Sequence, residues 1–357
     1  MNLFVTASLL LLAFALPCQQ LLAAPPAGSI VTWGVNPVRQ GIKDYYRTGL
    51  VAITGQVVTN AVAVAAGGSH GLALRSDGTV VGWGGNGAGE ALGFAVPYPG
   101  PPGGGAQVRI EGQALSNVTA IAAGSCHAQS FSLALRSDGR VMAWGYNRLG
   151  QTSIPAGLSN VTAIAAGSFH GLALKSDGTI VHWGQGNPPP YWLSNVVTIA
   201  AGGESGQNLA LRRDGTVAEW PVLSAEYVST VPAGLSNVVA IATAGGARLA
   251  LKDDGTVIGW GGNRYGQATG IPTPEFPSQS TGTVMIAGQV LTNVAAIAAG
   301  FDYSVGLKRD GTVVTWGHPL AMQIAPPTGL SNVTGIAAGY NFCLAITTNV
   351  APFALKR

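Results

Sequence analysis

The chain is 357 residues long, carries only 9% charged residues and has a formal net charge of +3. No Lys/Arg cluster stands out, so neither a nucleic acid nor an acidic membrane surface is indicated as a partner. A chain of this length can bury a core large enough to stand without disulfides.

Residues 1–24 open the chain with an apolar run, LFVTASLLLLAFAL, and end it on the small residues Leu22-Ala23-Ala24. This resembles a secretory signal peptide cleaved near Ala23, and predicts a secreted or periplasmic protein with no membrane attachment after cleavage. The run is short for a membrane anchor and is broken by Pro17. Leu16-Pro17 ahead of Cys18 is a poor match to a lipid-attachment site. Past the leader, Cys126 and Cys343 are the remaining cysteines, and spacing does not say whether they meet.

Next comes GSIVTWG at 28–34, a lone strand ending in Trp-Gly. Beyond it one pattern recurs, most completely as LSNVTAIAAGSFHGLALKSDGTIVHWG at 158–184. Three short apolar runs, each closed by Gly or Asp-Gly, read as three strands. Asp-Gly between two such runs is a hairpin cue, because Gly accepts the positive φ of a tight turn. Both faces of VTAIAAG are small and apolar, as the crowded inner part of a blade requires, and the Trp is a large filler at wider radius. A three-stranded meander cannot bury both its faces alone, so copies must stack.

The Asn-led first strand begins seven times, at Asn60, Asn117, Asn160, Asn195, Asn237, Asn293 and Asn332. The closing Trp also appears seven times, at Trp33, Trp83, Trp144, Trp183, Trp220, Trp260 and Trp316. The Asp-Gly hairpin appears six times, at Asp77, Asp138, Asp177, Asp214, Asp254 and Asp310. Trp33 has no strand pair before it, and the unit at 332–348 has no third strand after it. The two ends therefore supply one blade between them. The prediction is an all-β, seven-bladed propeller spanning 25–357 as one domain, its ring closed by the N- and C-terminal strands. The blades fall near 52–93, 108–152, 153–188, 189–225, 230–268, 284–320, and 325–348 with 28–36.

Three inter-blade connections are long and end alike: VAITGQVVTN at 51–60, VRIEGQALSN at 108–117 and VMIAGQVLTN at 284–293. The shared V-x-I-x-G-Q predicts an extra or lengthened outer strand preceded by a loop. Those loops hold Tyr45-Tyr46-Arg47, PYPGPPGGG at 97–105 and PTPEFPSQS at 272–280. They mark either a binding face or neutral length variation at exposed tips.

No residue set reads as catalytic, and no cofactor is implied. His70, His127 and His170 sit near equivalent places, but other copies put Ala247, Tyr303 or Phe342 there, which makes this a packing position. His182 and His318 have no recurring partners, and no metal-ligand spacing is present. Asp44, Glu90, Glu111, Glu204, Glu219, Glu226, Asp253, Glu275 and Asp302 are scattered rather than paired. Asn-Val-Thr at Asn117, Asn160 and Asn332 matches a glycosylation acceptor and is better explained as the start of an inner strand.

The series A-G-x-x-H-x-L-A-L-x-x-D-G-x-V-x-x-W-G-x-N-x-x-G-Q, seen across 123–151 and 166–183, resembles the regulator-of-chromosome-condensation repeat. The likeness covers the chain beyond the leader and implies a seven-bladed propeller with a shared terminal blade. The leader and the plain units are most similar to bacterial secreted members, such as the β-lactamase inhibitory proteins of this fold. In those relatives the two positions after the A-A-G glycine touch the target, which here points to Ser168-Phe169, Phe301-Asp302 and Tyr340-Asn341. The founding nuclear guanine-nucleotide exchange activity is not implied, since this chain lacks a basic tail and carries an export-type leader.

The expected function is recognition of another protein, an extracellular enzyme or surface protein, by a secreted, non-enzymatic monomer with inhibitor-like action. Phe169, Phe301, Asp302, Tyr303, Tyr340 and Glu204 are the candidate binding residues. A carbohydrate- or cell-wall-binding module using Tyr191-Trp192 is the alternative, followed by an extracellular polymer-degrading enzyme or a guanine-nucleotide exchange factor.

Overall fold

The computed structural model describes residues 27–34, 49–53, 55–94, 105–124, 126, 129–203, 207–221, 231–274, 279–318 and 325–350. The leader, residues 45–47 and residues 97–104 lie outside them. No helix occurs among the described residues.

Each repeat begins on an Asn held in the left-handed region, with φ between 51° and 62° at all seven positions. Asn tolerates this conformation because its short side chain bonds locally, where a β-branched or bulky residue would be strained. From there the first strand runs to the A-A-G glycine, a second strand returns, and an Asp-Gly turn, Ser-Asp-Gly-Thr in blades 1 and 3, sends the third strand back to Trp-Gly. In the first such turn Gly78 (φ +77°) donates to Arg75 O, and Asp77 Oδ1 accepts from both Thr79 N (2.9 Å) and Thr79 Oγ1 (2.6 Å). The Asp is thus a clamp as well as a turn former. The turn also stitches neighbours together: Val118 N donates to Gly78 O, Val238 N to Gly215 O, and Val294 N to Gly255 O.

These meanders form seven sheets. Blade 1 is Ala61–Ala66, His70–Arg75, Val80–Gly84 and Gly105–Gln107. Blade 2 is Val118–Ala123, Phe131–Arg136 and Val141–Gly145, and blade 3 is Val161–Ala166, His170–Lys175 and Ile180–Gly184. Blade 4 is Val196–Ala200, Gln207–Arg212 and Val217–Pro221. Blade 5 is Val238–Ala244, Ala247–Lys252, Val257–Gly262 and Gln279–Thr283. Blade 6 is Val294–Ala299, Tyr303–Lys308 and Val313–Gly317. Blade 7 takes Val333–Ala338 and Phe342–Thr347 from the end of the chain, and Ser29–Gly34 with Gly49–Leu50 from its beginning.

The first strands of successive blades touch one another in turn, and blade 7 touches blade 1, so these strands line the axis. The apolar core divides into seven clusters, one between each neighbouring pair of blades, including the pair 7 and 1. Each cluster holds one repeat Trp, none more than 6% exposed.

The V-x-I-x-G-Q segments depart from expectation. The added fourth strand lies upstream of the pattern, and the pattern itself is a separate two-stranded hairpin, as in Arg109–Ile110 with Gln113–Ala114. Positive φ at both Glu111 and Gly112, and at Ala287 and Gly288, makes a tight primed turn that ends the strand early. The leading Val108 and Val284 are fully buried plugs between blades.

Candidate functional site

Strand direction divides the propeller into two faces. On one lie the Asn residues and Asp-Gly turns. On the other, the mouth face, the A-A-G turns meet the loops that follow Trp-Gly. Backbone bonds join the two kinds of mouth loop within a blade: Gln185 N donates to Phe169 O, Gly262 N to Gly246 O, and His318 N to Asp302 O. Further bonds join adjacent blades, Gly68 N to Gly124 O and Tyr340 N to Gly67 O.

The W-G-x-N-x-x-G-Q loops have a fixed frame. Asn263 Oδ1 accepts from Ala268 N and Thr269 N, and Gln267 Oε1 accepts from Tyr265 N. Gln267 O then accepts from Ser304 Oγ and Trp316 Nε1 of the next blade. Asn147 and Gln151 repeat this frame, and in blade 1 Glu90 replaces the Gln, its Oε2 accepting from Ala88 N. The frame holds its two central residues outward, and these are Arg148-Leu149 and Arg264-Tyr265.

Of the sequence candidates, Phe301 and Tyr340 come together. Their rings stack at 4.3 Å and 22°, although they belong to blades 6 and 7. They border a small depression near the axis, lined also by Ser168, Gly203, Ala299 and Ala338. Its volume of about 20 Å³ suits a water molecule rather than a metabolite. Phe169 is half-buried on blade 3 and does not line it.

Asp302 is half-buried beside them, and burial holds its carboxyl group above the ordinary range against the pull of His318 and Arg264. Tyr265 meets the His318 ring edge-on at 4.0 Å, and the Arg264 guanidinium lies 5.5 Å from the centre of the Tyr265 ring. Sequence reasoning missed Arg264, Tyr265 and His318 as parts of this patch. The available signal was that the two positions inside N-x-x-G are free to vary within a fixed frame.

Tyr303 is not on the surface. It is 3% exposed, and its hydroxyl donates to Phe342 O at 2.6 Å in the blade 6–7 core. Strand alternation turns the first residue of the second strand inward, and the A-A-G glycine makes room for it: a Cβ on Gly300 would lie 2.2 Å from the Tyr303 ring. The same position holds His70, Phe131, His170, Gln207, Ala247 and Phe342, all buried. Glu204 and His127 lie outside the described residues.

One buried ion pair also escaped the sequence reading. Arg248 Nη2 of blade 5 lies 3.8 Å from Glu219 Oε1 of blade 4, and Glu219 Oε2 accepts from Trp260 Nε1 at 2.8 Å. Cys126 and Cys343 are not joined in a disulfide, and both are buried. Among the described residues no group of three or more His, Cys, Asp or Glu could hold a metal ion, and no helix is long and apolar enough to cross a membrane.

Residues 61–90, 118–151, 161–187 and 294–319 match the family described as regulator of chromosome condensation (RCC1) repeat. They fall on blades 1, 2, 3 and 6 and span their meanders. The solved structure of Prp20p from Saccharomyces cerevisiae superposes with a TM-score of 0.68 at 19% identity, over 93% of this chain and 94% of that one. This chain has the RCC1-type propeller fold and matches the RCC1 repeat in four places. Human WBSCR16 shares the RCC1-type fold with a TM-score of 0.67 at 16% identity, over 90% of this chain and 100% of that one. In sequence the propeller is 28% identical over 298 residues to human E3 ubiquitin-protein ligase HERC2, covering 67% of this chain and 6% of that protein. It is 26% identical over 333 residues to the secretion-regulating guanine nucleotide exchange factor of Bos taurus, covering 83% of this chain and 61% of that protein. The RCC1-type chain thus spans less than two thirds of either relative's length. Prp20p is described with binding properties to Gsp1p and histones, and a further structure shows Kap60 bound to yeast RCC1 (Prp20).

Proposed function

We propose that this RCC1-type propeller is a secreted or periplasmic, non-enzymatic recognition module that binds another protein through its mouth face, in the manner of an inhibitor. The observation that carries the reading is the stacked Phe301–Tyr340 pair, flanked by Arg264, Tyr265 and His318. Tyr, Phe and Arg dominate this patch, the residue types enriched at interface cores, where Lys, Glu and Asp are depleted. Most described charges sit instead on the opposite face, locked into the Asp-Gly turns. The protein partners of Prp20p support protein binding as the use of this fold. The apolar leader supports export. A partner captured from the secreted fraction and titrated against Phe301→Ala/Tyr340→Ala tests the reading. The double variant is expected to lose at least about tenfold in affinity, or ~1.4 kcal/mol. Affinity retained within about threefold removes the mouth from consideration.

A second reading has its own observation. Tyr191 is fully exposed and Trp192 is 52% exposed, with Arg212 over the indole at 5.4 Å, on the side of the Asp-Gly turns. Such a platform suits stacking of a sugar ring. Retention on insoluble cell-wall polysaccharide that is lost in Trp192→Ala would favour it.

A further inference from the structure

The inward position at the start of each second strand separates the blade interfaces into two kinds. At blades 2, 6 and 7 it holds Phe131, Tyr303 and Phe342, and at blade 5 Ala247. At blades 1 and 3 it holds His70 and His170, each with no exposed surface. Each imidazole crosses to the next blade. His70 Nε2 lies 2.8 Å from Ser132 Oγ, and His170 Nε2 lies 2.8 Å from Asn208 Oδ1.

The partners fix the proton. Ser132 Oγ spends its hydrogen on Glu90 O at 2.7 Å, and Asn208 Oδ1, which also takes Gly202 N, can only accept. Each histidine is therefore the neutral tautomer with its hydrogen on Nε2, assigned from the bonding network. The free nitrogen, Nδ1, has no hydrogen-bond partner in either residue. It is pressed against the A-A-G glycine: a Cβ on Gly67 or Gly167 would lie 2.7 Å from it. A proton arriving in acid must go to Nδ1, which has no hydrogen-bond partner in the folded ring.

We propose that the propeller is built to loosen in acid at two specified joints, between blades 1 and 2 and between blades 3 and 4. There neutral histidines take the place that uncharged side chains fill at the other blades. Burial depresses His70 to about 3 and His170 to about 4, the latter also under the influence of His182. No carboxylate acts on either ring. Glu90, across the first joint, is itself raised by burial, and its carboxyl group turns to Ala88 N. Across the second joint His170 faces the uncharged Asn208, and His182 on its own blade is depressed by burial.

The sign follows from linkage. Each histidine favours the folded ring above its unfolded value near 6.5 and opposes it as pH falls toward the folded value. At pH 5 each shifts the unfolding equilibrium by roughly thirtyfold. The raised Glu90 and Glu219 act in the opposite sense, since acid relieves their burial, so they do not imitate the effect.

The repeat supplies the controls, because Phe131 and Gln207 occupy the same position elsewhere. His70→Gln/His170→Gln keeps a donor toward Ser132 and Asn208, whereas His70→Phe/His170→Phe fills the volume alone. Urea unfolding of wild type between about pH 7 and pH 4.5 is expected to show a steep fall in midpoint, flattened in the Gln pair. Hydrogen exchange on the unmodified protein at about pH 5, corrected for intrinsic rates, gives a readout independent of variant folding. The second strands of blades 1 and 3 should lose protection ahead of those of blades 6 and 7. Equal acid slopes in wild type and the Gln pair, or uniform loss of protection around the ring, would overturn the proposal.

Discussion

Trp33 stands directly opposite Cys343, in a six-residue antiparallel run that pairs Ser29 with Thr347 and Gly34 with Phe342. This is the joint through which residues near the beginning of the chain complete a sheet begun near its end. The Trp33 indole is buried with Val305 and Leu307 of blade 6, so one residue links both the terminal joint and the next interface.

Trp33→Ala should therefore cost about 3–5 kcal/mol, as large-to-small changes in a packed core do. Deleting residues 27–34 should do more, since it also strips the middle strand of blade 7 of a partner. Cys343 provides the readout. Burial pushes its thiol up to about 12 and the native ring shields it, so a thiol reagent should leave it untouched in the wild type. Rapid labelling in the deletion variant is expected. A shift of only a degree or two in the thermal midpoint of Trp33→Ala would show that the joint does not hold the ring.

The seven left-handed Asn residues give a sharper test of local structure. Asn160 has φ +57° and its carbonyl accepts from Ser176 N at 2.9 Å. Asn160→Ala should cost about 1–2 kcal/mol, the penalty of a Cβ in that region, while Asn160→Gly should stay within a few tenths. Chemical denaturation of the two variants, with equal m-values, measures the difference. Equal losses would mean that the Asn acts through its side chain instead.

Much of this was legible because it repeats. Trp and Asp-Gly recur in register, so one unit read correctly gave the others, including the divided blade. What did not repeat was hidden. Arg248 and Glu219 replace small or neutral residues at single positions on different blades, and only stacking brings them together. Tyr303 looked like its neighbours Phe301 and Asp302, yet alternation turned it into the core. The V-x-I-x-G-Q segments read as strands because Val and Ile favour them, while the two-residue turn that limits them depends on positive φ at a non-Gly residue.

The Arg248–Glu219 pair should behave as buried pairs do, with the penalty falling on whichever charge is left alone. Arg248→Met strands Glu219 and is expected to cost about 3–5 kcal/mol at neutral pH. Adding Glu219→Gln should recover most of it. Burial already holds the Glu219 carboxyl group above its ordinary value, opposed by the Trp260 hydrogen bond and by Arg248. Removing Arg248 raises it further, so the Arg248→Met deficit should shrink as pH falls toward the folded value. A deficit that grows in acid would contradict the assignment.

The Asp-Gly turns predict a separate acid limb, at lower pH than the histidine joints. Bonds from Thr179 hold the exposed Asp177 carboxyl group down to about 2, and Asp77, Asp214, Asp254 and Asp310 are lowered by the equivalent Thr. A depressed carboxylate supports the fold above its unfolded value and loses that support as pH falls through the folded one. Stability should therefore drop again below about pH 4, and Thr179→Val should soften that limb while leaving the higher-pH limb unchanged. Nuclear magnetic resonance titration of the Asp177 side chain checks the assignment directly.

The two faces make opposite predictions for binding. Arg264→Ala and Phe301→Ala alter the mouth, and Trp192→Ala alters the side of the Asp-Gly turns, with none of the three side chains in the interior. Folding should be unchanged in all of them, verifiable by matching thermal midpoints. A protein partner seated on the mouth should lose roughly 1–2 kcal/mol with each of the first two and nothing with the third, because interface energy concentrates in a few aromatic and Arg anchors. The Arg264 loss should also appear partly in the association rate and weaken with added salt, as expected of a charge at an interface rim. Calorimetry with the captured partner separates these outcomes, and a loss confined to Trp192→Ala would move the binding surface to the opposite face.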